Sequence, residues 1–390
     1  MARTELGVPD GRRSNRSKVP HAGDEGASKS VENRITKRRK TSHELPKDHV
    51  VKPDPRRTTR RKVAFDHNDP KSVQPAGEVA AEVPGIMGLP ADLEMHGAAL
   101  KAQEYWHLPR AVWEGINSRA TGKGILIANL DTGYNPNHPL IPKPKIARSF
   151  VKHERNAFDD HGHGSHTIGT NCGRDPSISP AFEADLLVGK VLGKDGSGGN
   201  EGIASAIFWA IKEGAQIISA SLGGKYPDPQ TKEAAQACEE AGVLLVAAAG
   251  NDGYKGIDSI GFPGGYQETF CIGAYREDGR IASFSSGGRA IDIACPGQNI
   301  VSCSPNGKGM AKMSGTSMAT PFAAALFALI LELMLREGHA WPKGTAWWRK
   351  FIGDTCEDRG EPGEDDRFGM GVPLYEGIVD KLSHDELQWT

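Results

Sequence analysis

Short apolar segments alternate with segments of helical spacing between residues 124 and 336 of this chain. Residues 124–130 form a near-continuous apolar run, which is typical of a strand covered on both faces of a sheet. Similar runs follow at residues 186–192, 216–222, 243–249, 270–274 and 290–294. Helical spacing is found at residues 201–213, 231–241 and 316–336. This order predicts an α/β fold, namely a three-layer, doubly wound, mostly parallel sheet with helices on both faces.

The last helical segment contains the longest apolar run of the chain, residues 322–335, with Glu332 inside it. The run is too short for a membrane span and predicts a buried helix, so we expect no membrane association. Doubly wound sheets bind their ligands at the carboxyl ends of the strands. Asp131 and Asn251 lie at two such predicted ends, which makes them candidate site residues.

Charge divides the chain into two parts. Residues 1–62 carry 18 Lys and Arg against 8 Asp and Glu, which gives +10, and the whole chain carries −2, so the remainder carries −12. The basic segment has few large apolar residues and cannot bury enough surface to offset chain entropy. We predict a disordered basic tail and linker over residues 1–90 and one large domain over residues 91–385. A weak helical pattern around Trp106 is expected to pack on that domain.

The six cysteines show neither a CxxC pair nor metal-ligand spacing with histidine. Most of them lie in apolar strand or helix contexts, which predicts buried free thiols. The first 18 residues lack the apolar stretch of a signal peptide. Free thiols without an export signal favour an intracellular, reducing compartment.

Three short segments each combine a chemically active residue with small residues. They are Leu130-Asp131-Thr132-Gly133, His163-Gly164-Ser165-His166-Thr167 and Ser314-Gly315-Thr316-Ser317-Met318-Ala319-Thr320-Pro321. Together they supply a carboxylate, an imidazole and a hydroxyl in one of the chain orders known for catalytic triads. The third segment resembles the nucleophile motif of the subtilisin-like serine proteases (subtilases, peptidase family S8). The resemblance extends from about residue 122 to about residue 379 and implies a serine endopeptidase.

The resemblance implies a role for each member of the site. Ser317 would be the nucleophile, which needs an adjacent base because a free serine hydroxyl reacts poorly. His163 would be that base, Asp131 would orient it, and Asn251 would bind the oxyanion with the Ser317 amide. We place Pro321 within the first turn of the helix, where its missing N–H costs little.

The resemblance also implies substrate-binding residues, which are Ser221, Leu222, Gly223, Ala248, Gly250, Gly261 and Gly196. The first three would pair with an extended peptide by strand addition. Gly261 would form the floor of the primary pocket and leave room for a large apolar or aromatic P1 side chain. Asn200 stands where many relatives carry an aromatic residue, so we expect the next pocket to be more open.

A metal site is the rival interpretation of the histidine-rich segment, because His161 and His163 follow Asp159 and Asp160. The flanking residues fit the protease motif better. Residues 171–178 lack the several acidic or amide ligands of a calcium loop. We therefore expect no cofactor and assign no metal ligand; calcium binding stays open, although the sequence shows no clear site for it.

Three other functions stay open at this point. A catalytically silent subtilase could act as a binding scaffold, and acyl-serine chemistry could serve an esterase. The basic residues 1–62 could bind nucleic acid non-specifically or bind an acidic partner, alongside protease activity. Otherwise we expect a monomer whose partner is a protein or peptide substrate.

Overall fold

The structure is a computed structural model that describes residues 106–107, 119–304, 307–342 and 344–383. The basic segment 1–62, the predicted linker to residue 90 and both predicted domain boundaries lie outside these ranges. All described residues belong to one compact unit.

A sheet of seven strands forms the centre of this unit, in the order β2–β3–β1–β4–β5–β6–β7. The strands are β1 (Leu126–Asp131), β2 (Ile146–Ser149), β3 (Asp185–Lys190), β4 (Ile217–Ala220), β5 (Leu244–Ala248), β6 (Phe270–Tyr275) and β7 (Ile293–Pro296). All neighbouring strands pair in parallel. The predicted parallel sheet is therefore confirmed, with β2 as an edge strand that the sequence pattern did not indicate.

Helices cover both faces of the sheet. They are α1 (His163–Cys172), α2 (Asn200–Lys212), α3 (Pro229–Ala241), α4 (Thr316–Arg336), α5 (Thr345–Gly353) and α6 (Tyr375–Ser383). Alternate strand residues face opposite layers. Ile127 packs in one core cluster with α1 and α4, whereas Ala128 packs in another with α2 and α3. This two-sided packing confirms the doubly wound architecture.

Two small antiparallel sheets lie beside the main one and were not predicted. One pairs β8 (Ile300–Cys303) with β9 (Met310–Met313), and the other pairs β10 (Cys356–Glu357) with β11 (Val372–Pro373). Of the predicted helical pattern, which extends over about residues 93–115, only Trp106 and His107 are among the described residues, and Trp106 contacts the domain. Its indole Nε1 donates to the Gln298 carbonyl at 3.1 Å, and its ring meets Tyr275 edge-on.

Helix α4 is the core helix of the domain. It is long and apolar enough to cross a bilayer by length and composition, but 94% of that stretch is buried inside the protein. The Glu332 carboxylate within it is also buried, and its Oε2 accepts the N–H groups of Thr121, Gly122 and Lys123 at 2.7, 2.7 and 3.0 Å. A buried carboxylate needs such donors. Glu332 therefore ties the loop before β1 to the core.

All six cysteines are free thiols, and five of them are buried while Cys356 is partly exposed. Burial raises the pKa of the Cys172 thiol to about 12, so it stays protonated at neutral pH. The prediction of buried free thiols is confirmed for the five.

Candidate active site

Asp131 and His163 meet where a strand ends and a helix begins. Asp131 is the last residue of β1 and His163 is the first residue of α1. The imidazole Nδ1 lies 2.8 Å from Asp131 Oδ1 and 3.0 Å from Oδ2. A Cβ at Gly164 would lie 2.2 Å from the carbonyl oxygen of Gly133, so no larger residue fits at position 164. This close backbone approach brings the imidazole to the carboxylate.

The environment of His163 favours its protonated form. Burial alone would lower the pKa of His163, but the charge of Asp131, its hydrogen bond and the charge of Asp159 outweigh burial and raise the pKa. Asp131 is 1% exposed, so this interaction is little screened by water. Because Nδ1–H donates to Asp131, Nε2 is the nitrogen that is left to accept a proton.

His166, one turn further along α1, is a structural residue. Its Nε2 donates to the carbonyl oxygens of Ile300 and Ala311 at 3.1 and 3.2 Å. Burial lowers the pKa of His166 to about 4, so the ring stays neutral beside His163. It therefore links α1 to the β8–β9 hairpin.

Ser317 is the second residue of α4, at a position whose backbone N–H has no partner within the helix. Pro321 is the sixth residue of this helix, so its expected location in the first turn was wrong. A proline there leaves the Ser317 carbonyl without its intrahelical donor. The Ser221 hydroxyl replaces that donor and binds the Ser317 carbonyl oxygen at 2.8 Å. Ser221 thus supports the segment that carries Ser317.

Ser317 and His163 line the same cavity, which has a volume of about 580 Å³. The Ser317 Oγ donates to the Ser221 carbonyl oxygen at 3.3 Å, a long and weak bond. Release of this contact by rotation about the Cα–Cβ bond would free the hydroxyl for another acceptor in the cavity. Ser317 is half-buried, so a substrate can approach it.

Asn251 has a fixed orientation at the start of α4. Its Oδ1 accepts the backbone N–H of Thr316 at 2.9 Å and the Thr316 hydroxyl at 3.1 Å. Two donors identify this atom as the oxygen, so the Nδ2 donors must point elsewhere. Asn251 and Ser317 line a second cavity of about 450 Å³. The amide group can therefore offer hydrogen bonds next to Ser317.

The second cavity contains most of the predicted substrate-binding residues, which are Leu222, Gly223, Ala248, Gly250 and Gly261. A Cβ at Gly261 would lie 3.3 Å from the carbonyl oxygen of Gly224, which pairs with the adjacent Phe262 in an antiparallel bridge. A larger residue at position 261 would therefore have to shift this neighbouring segment. Ser221 and Gly196 line the first cavity. Every predicted site residue except Asp131 thus lines one of two adjoining cavities that share Ser317, and Asp131 is buried in contact with His163. The roles themselves stay predictions.

The acidic residues before α1, Asp159 and Asp160, accept hydrogen bonds from neighbouring parts of the fold. Asp159 accepts hydrogen bonds from the Thr132 hydroxyl, from the Ser165 hydroxyl and amide, and from the Gly162 amide. Burial would raise the pKa of Asp159, but these donors outweigh it and lower the pKa. Within the described ranges, no group of three or more His, Cys, Asp or Glu side chains could hold a metal ion.

Lys190 is a supporting residue that the sequence reasoning missed. Its side chain is completely buried, and its Nζ donates to the Thr132 carbonyl and to Asp160, each at 2.8 Å. It therefore connects the end of β1 with the loop that leads to His163. A lysine inside an otherwise apolar strand run was the available signal, because a buried lysine needs a partner.

Comparison with known proteins identifies the family. The family model of the subtilases, peptidase family S8, matches residues 122–371. An intracellular serine protease of Paenibacillus polymyxa is 39% identical over 233 residues, which are 57% of this chain and 70% of that protein. The major intracellular serine protease of Bacillus subtilis (strain 168) is 37% identical over 242 residues, 59% of this chain and 72% of that protein. Subtilisin BL of Lederbergia lenta is 37% identical over 231 residues, 58% of this chain and 84% of that protein. The chain belongs to the subtilase family and is a serine endopeptidase.

Proposed function

We propose that the chain cleaves peptide bonds through an acyl-enzyme on Ser317, with His163 as general base and Asp131 as its orienting carboxylate. The observation that carries this proposal is the contact of His163 Nδ1 with Asp131 at 2.8 Å, beside a cavity that Ser317 shares. A buried carboxylate bound to Nδ1 fixes the tautomer in which Nε2 accepts a proton.

In the first step the Ser317 Oγ attacks the carbonyl carbon of the substrate while its proton moves to His163 Nε2. The carbonyl electrons move to the oxygen, which becomes an oxyanion. Asn251 Nδ2–H and the Ser317 N–H donate hydrogen bonds to that oxyanion. The protonated imidazole then gives its proton to the leaving amine as the C–N bond breaks. A water molecule, activated by the same imidazole, hydrolyses the acyl-enzyme in the second half of the reaction.

We propose a preference for large apolar P1 residues. Small residues at positions 248, 250 and 261 support it, since they line a cavity of about 450 Å³ beside Ser317. Leu222 and Ile260 add apolar surface to the same cavity. Asp252, Asp258 and Lys225 also line it, so charged substrate groups would meet both signs of charge there. Gly196 and Ser221 would contact the peptide in the adjoining cavity.

We also propose an intracellular location. Two of the relatives are named intracellular serine proteases, and free, buried thiols suit a reducing compartment. A monomer that needs no cofactor, and a nucleic-acid or acidic partner for residues 1–62, remain predictions from the sequence.

Digestion of casein tests the proposal, with wild type beside Ser317→Ala and the fragments read by mass spectrometry. We expect fragments only with wild type, and we expect large apolar residues before the cleaved bonds. Cleavage by Ser317→Ala would contradict the assigned nucleophile. A folded wild type that cleaves neither casein nor a P1 peptide library would instead favour the catalytically silent scaffold.

A further inference from the structure

A chain of buried polar side chains ends on the Asp131 carboxylate. Asn171 Nδ2 donates to Asn129 Oδ1 at 2.7 Å, and Asn129 Nδ2 donates to Thr167 Oγ1 at 3.2 Å. The Thr167 hydroxyl donates to Asp131 Oδ2 at 3.2 Å. Thr167, Asn129 and Asn171 are at most 1% exposed, so water does not compete for these bonds.

These three residues occupy positions that would ordinarily be apolar. Asn129 lies two residues before Asp131 on β1, so both side chains face α1. Thr167 and Asn171 are one turn apart on α1 and face that strand. Ile127 and Ile168 beside them belong to the apolar core. Buried polar groups cost stability unless they are hydrogen-bonded, so packing alone does not explain three of them here.

The direction of the chain points to Asp131. The hydroxyl of Thr167 has one proton, and because it accepts from Asn129 this proton is left for Asp131 Oδ2 or for the Gly164 carbonyl at 3.0 Å. In the opposite direction, Thr167 would donate to Asn129 and turn a lone pair towards the carboxylate. The ionised carboxylate only accepts, so its charge selects the observed direction.

This arrangement leaves one polar atom without a hydrogen bond, at the end of the polar chain that is farthest from Asp131. Asn171 Oδ1 is buried and has no hydrogen-bond partner among the described residues. An unpaired buried acceptor is unfavourable. The polar chain therefore leaves one acceptor unsatisfied while each of its donors points along the route to Asp131.

Thr167 contacts Oδ2, the Asp131 carboxylate oxygen that otherwise has fewer and longer contacts than Oδ1. Asp131 Oδ1 accepts the Thr132 N–H at 2.7 Å and faces His163 Nδ1 at 2.8 Å. Oδ2 faces the same Nδ1 at 3.0 Å and accepts from Thr167. We propose that Thr167, oriented by Asn129 and Asn171, is a positioning residue that fixes Asp131 Oδ2 and thereby the plane of the carboxylate against His163. This inference rests on the proposed function of Asp131 and His163.

Loss of the Thr167 hydroxyl has two expected effects. The carboxylate can turn about its Oδ1 contacts, so the imidazole is aligned less well and kcat falls by about 3- to 30-fold with KM unchanged. The Oδ1 contact with His163 Nδ1 remains, and a carboxylate that has lost a hydrogen-bond donor stabilises the imidazolium more strongly through it. The acidic limb of the kcat/KM profile therefore moves to higher pH. In the part of the chain that the structure describes, the other ionisable groups that face His163 are Asp159 and His161 from the preceding loop and His166 from α1, and the substitution leaves them unchanged.

The test compares Thr167→Val with Thr167→Ser and with Thr170→Val. Thr170 is a matched control, because it is a buried threonine on the same helix whose hydroxyl donates to the His166 carbonyl at 3.3 Å. We expect reduced kcat and a shifted acidic limb for Thr167→Val, and recovery of both for Thr167→Ser. Thr167→Val that matches Thr170→Val in kcat and in pH profile would overturn the inference.

A second variant guards against misfolding. The double variant Asn129→Val with Asn171→Leu removes the orienting amides and keeps the Thr167 hydroxyl, and we expect its kcat to fall at unchanged KM. Wild-type kcat in this variant would overturn the orienting role. Asp131→Asn in the same assay separates the two claims. If Asp131→Asn keeps wild-type activity, the proposed function fails. If Asp131→Asn loses activity while Thr167→Val and the double variant keep the wild-type kcat and pH profile, the inference alone fails.

Discussion

Replacement of Asn251 by aspartate separates the catalytic role of this residue from its structural one. Asn251 Oδ1 accepts two hydrogen bonds from Thr316, at 2.9 and 3.1 Å, and an aspartate oxygen can accept both. The substitution therefore preserves the contacts that hold the start of α4. What it removes is the Nδ2 donor, which is replaced by an anionic oxygen.

The expected magnitude follows from that exchange. Loss of an oxyanion-hole amide in subtilisin, a member of the same family, lowers kcat by about 10²–10³. Repulsion between the new carboxylate and the developing oxyanion adds to this loss. At a separation of roughly 3 Å and an effective dielectric constant of about 20, that repulsion is about 5.5 kcal/mol. We expect a fall in kcat of at least about 10³-fold, with little change in KM, because the ground-state carbonyl carries little charge.

The assay measures kcat and KM on a chromogenic peptide with Phe at P1, and urea unfolding measures stability. Asn200→Asp is the matched control, since it makes the same chemical change at an exposed residue that lines the first cavity. We expect near wild-type kcat for the control and unfolding free energies within about 1 kcal/mol of wild type for both variants. If Asn251→Asp retained more than a third of wild-type kcat, the oxyanion assignment would be refuted.

Three further predictions concern pH, stability and specificity. Because the pKa of His163 is raised and the base must be neutral, kcat/KM should rise with pH through a midpoint above about 6.5, the ordinary histidine value. Asp131→Asn should lower that midpoint and reduce kcat by about 10⁴-fold, and an unmoved midpoint in a pH–rate profile would contradict the pairing. Glu332→Leu leaves three N–H groups unpaired, so urea unfolding should show a loss of about 3–5 kcal/mol, with exposed Glu337→Gln as a near-neutral control. Gly261→Val should reduce cleavage after Phe by about tenfold or more relative to cleavage after Ala, and an unchanged P1 ratio in a peptide library would exclude Gly261 from the pocket.

The sequence was informative wherever a local pattern decides the structure. The strands of the central sheet are covered on both faces, so their apolar runs were visible without any knowledge of their partners. The motifs around Asp131, His163 and Ser317 are short and specific, and the structure brings the first two into contact. The bounds of α4 were predicted correctly because both its start and its apolar periodicity are strong local signals.

The features that the sequence did not reveal depend on partners far along the chain. The Ser221 hydroxyl, which replaces the donor that Pro321 lacks, lies 96 residues before the Ser317 carbonyl that it binds. Glu332 binds amides that lie 209 to 211 residues before it. No periodicity carries such information. Asn129 was a visible exception in an apolar strand, but only its contact with Thr167 relates it to Asp131. Pairings of this kind follow from the topology of the sheet rather than from local spacing.

Covalent labelling with a fluorophosphonate measures the activation of Ser317 itself, because such a probe reacts with a serine that an adjacent base activates. Intact-mass and peptide-mapping mass spectrometry would locate the adduct in wild type, His163→Ala and Ser317→Ala. We expect one adduct per chain, on Ser317, which forms far more slowly in His163→Ala and is absent in Ser317→Ala. An adduct on another residue would exclude Ser317 as the nucleophile, and equal labelling rates in wild type and His163→Ala would exclude His163 as its base.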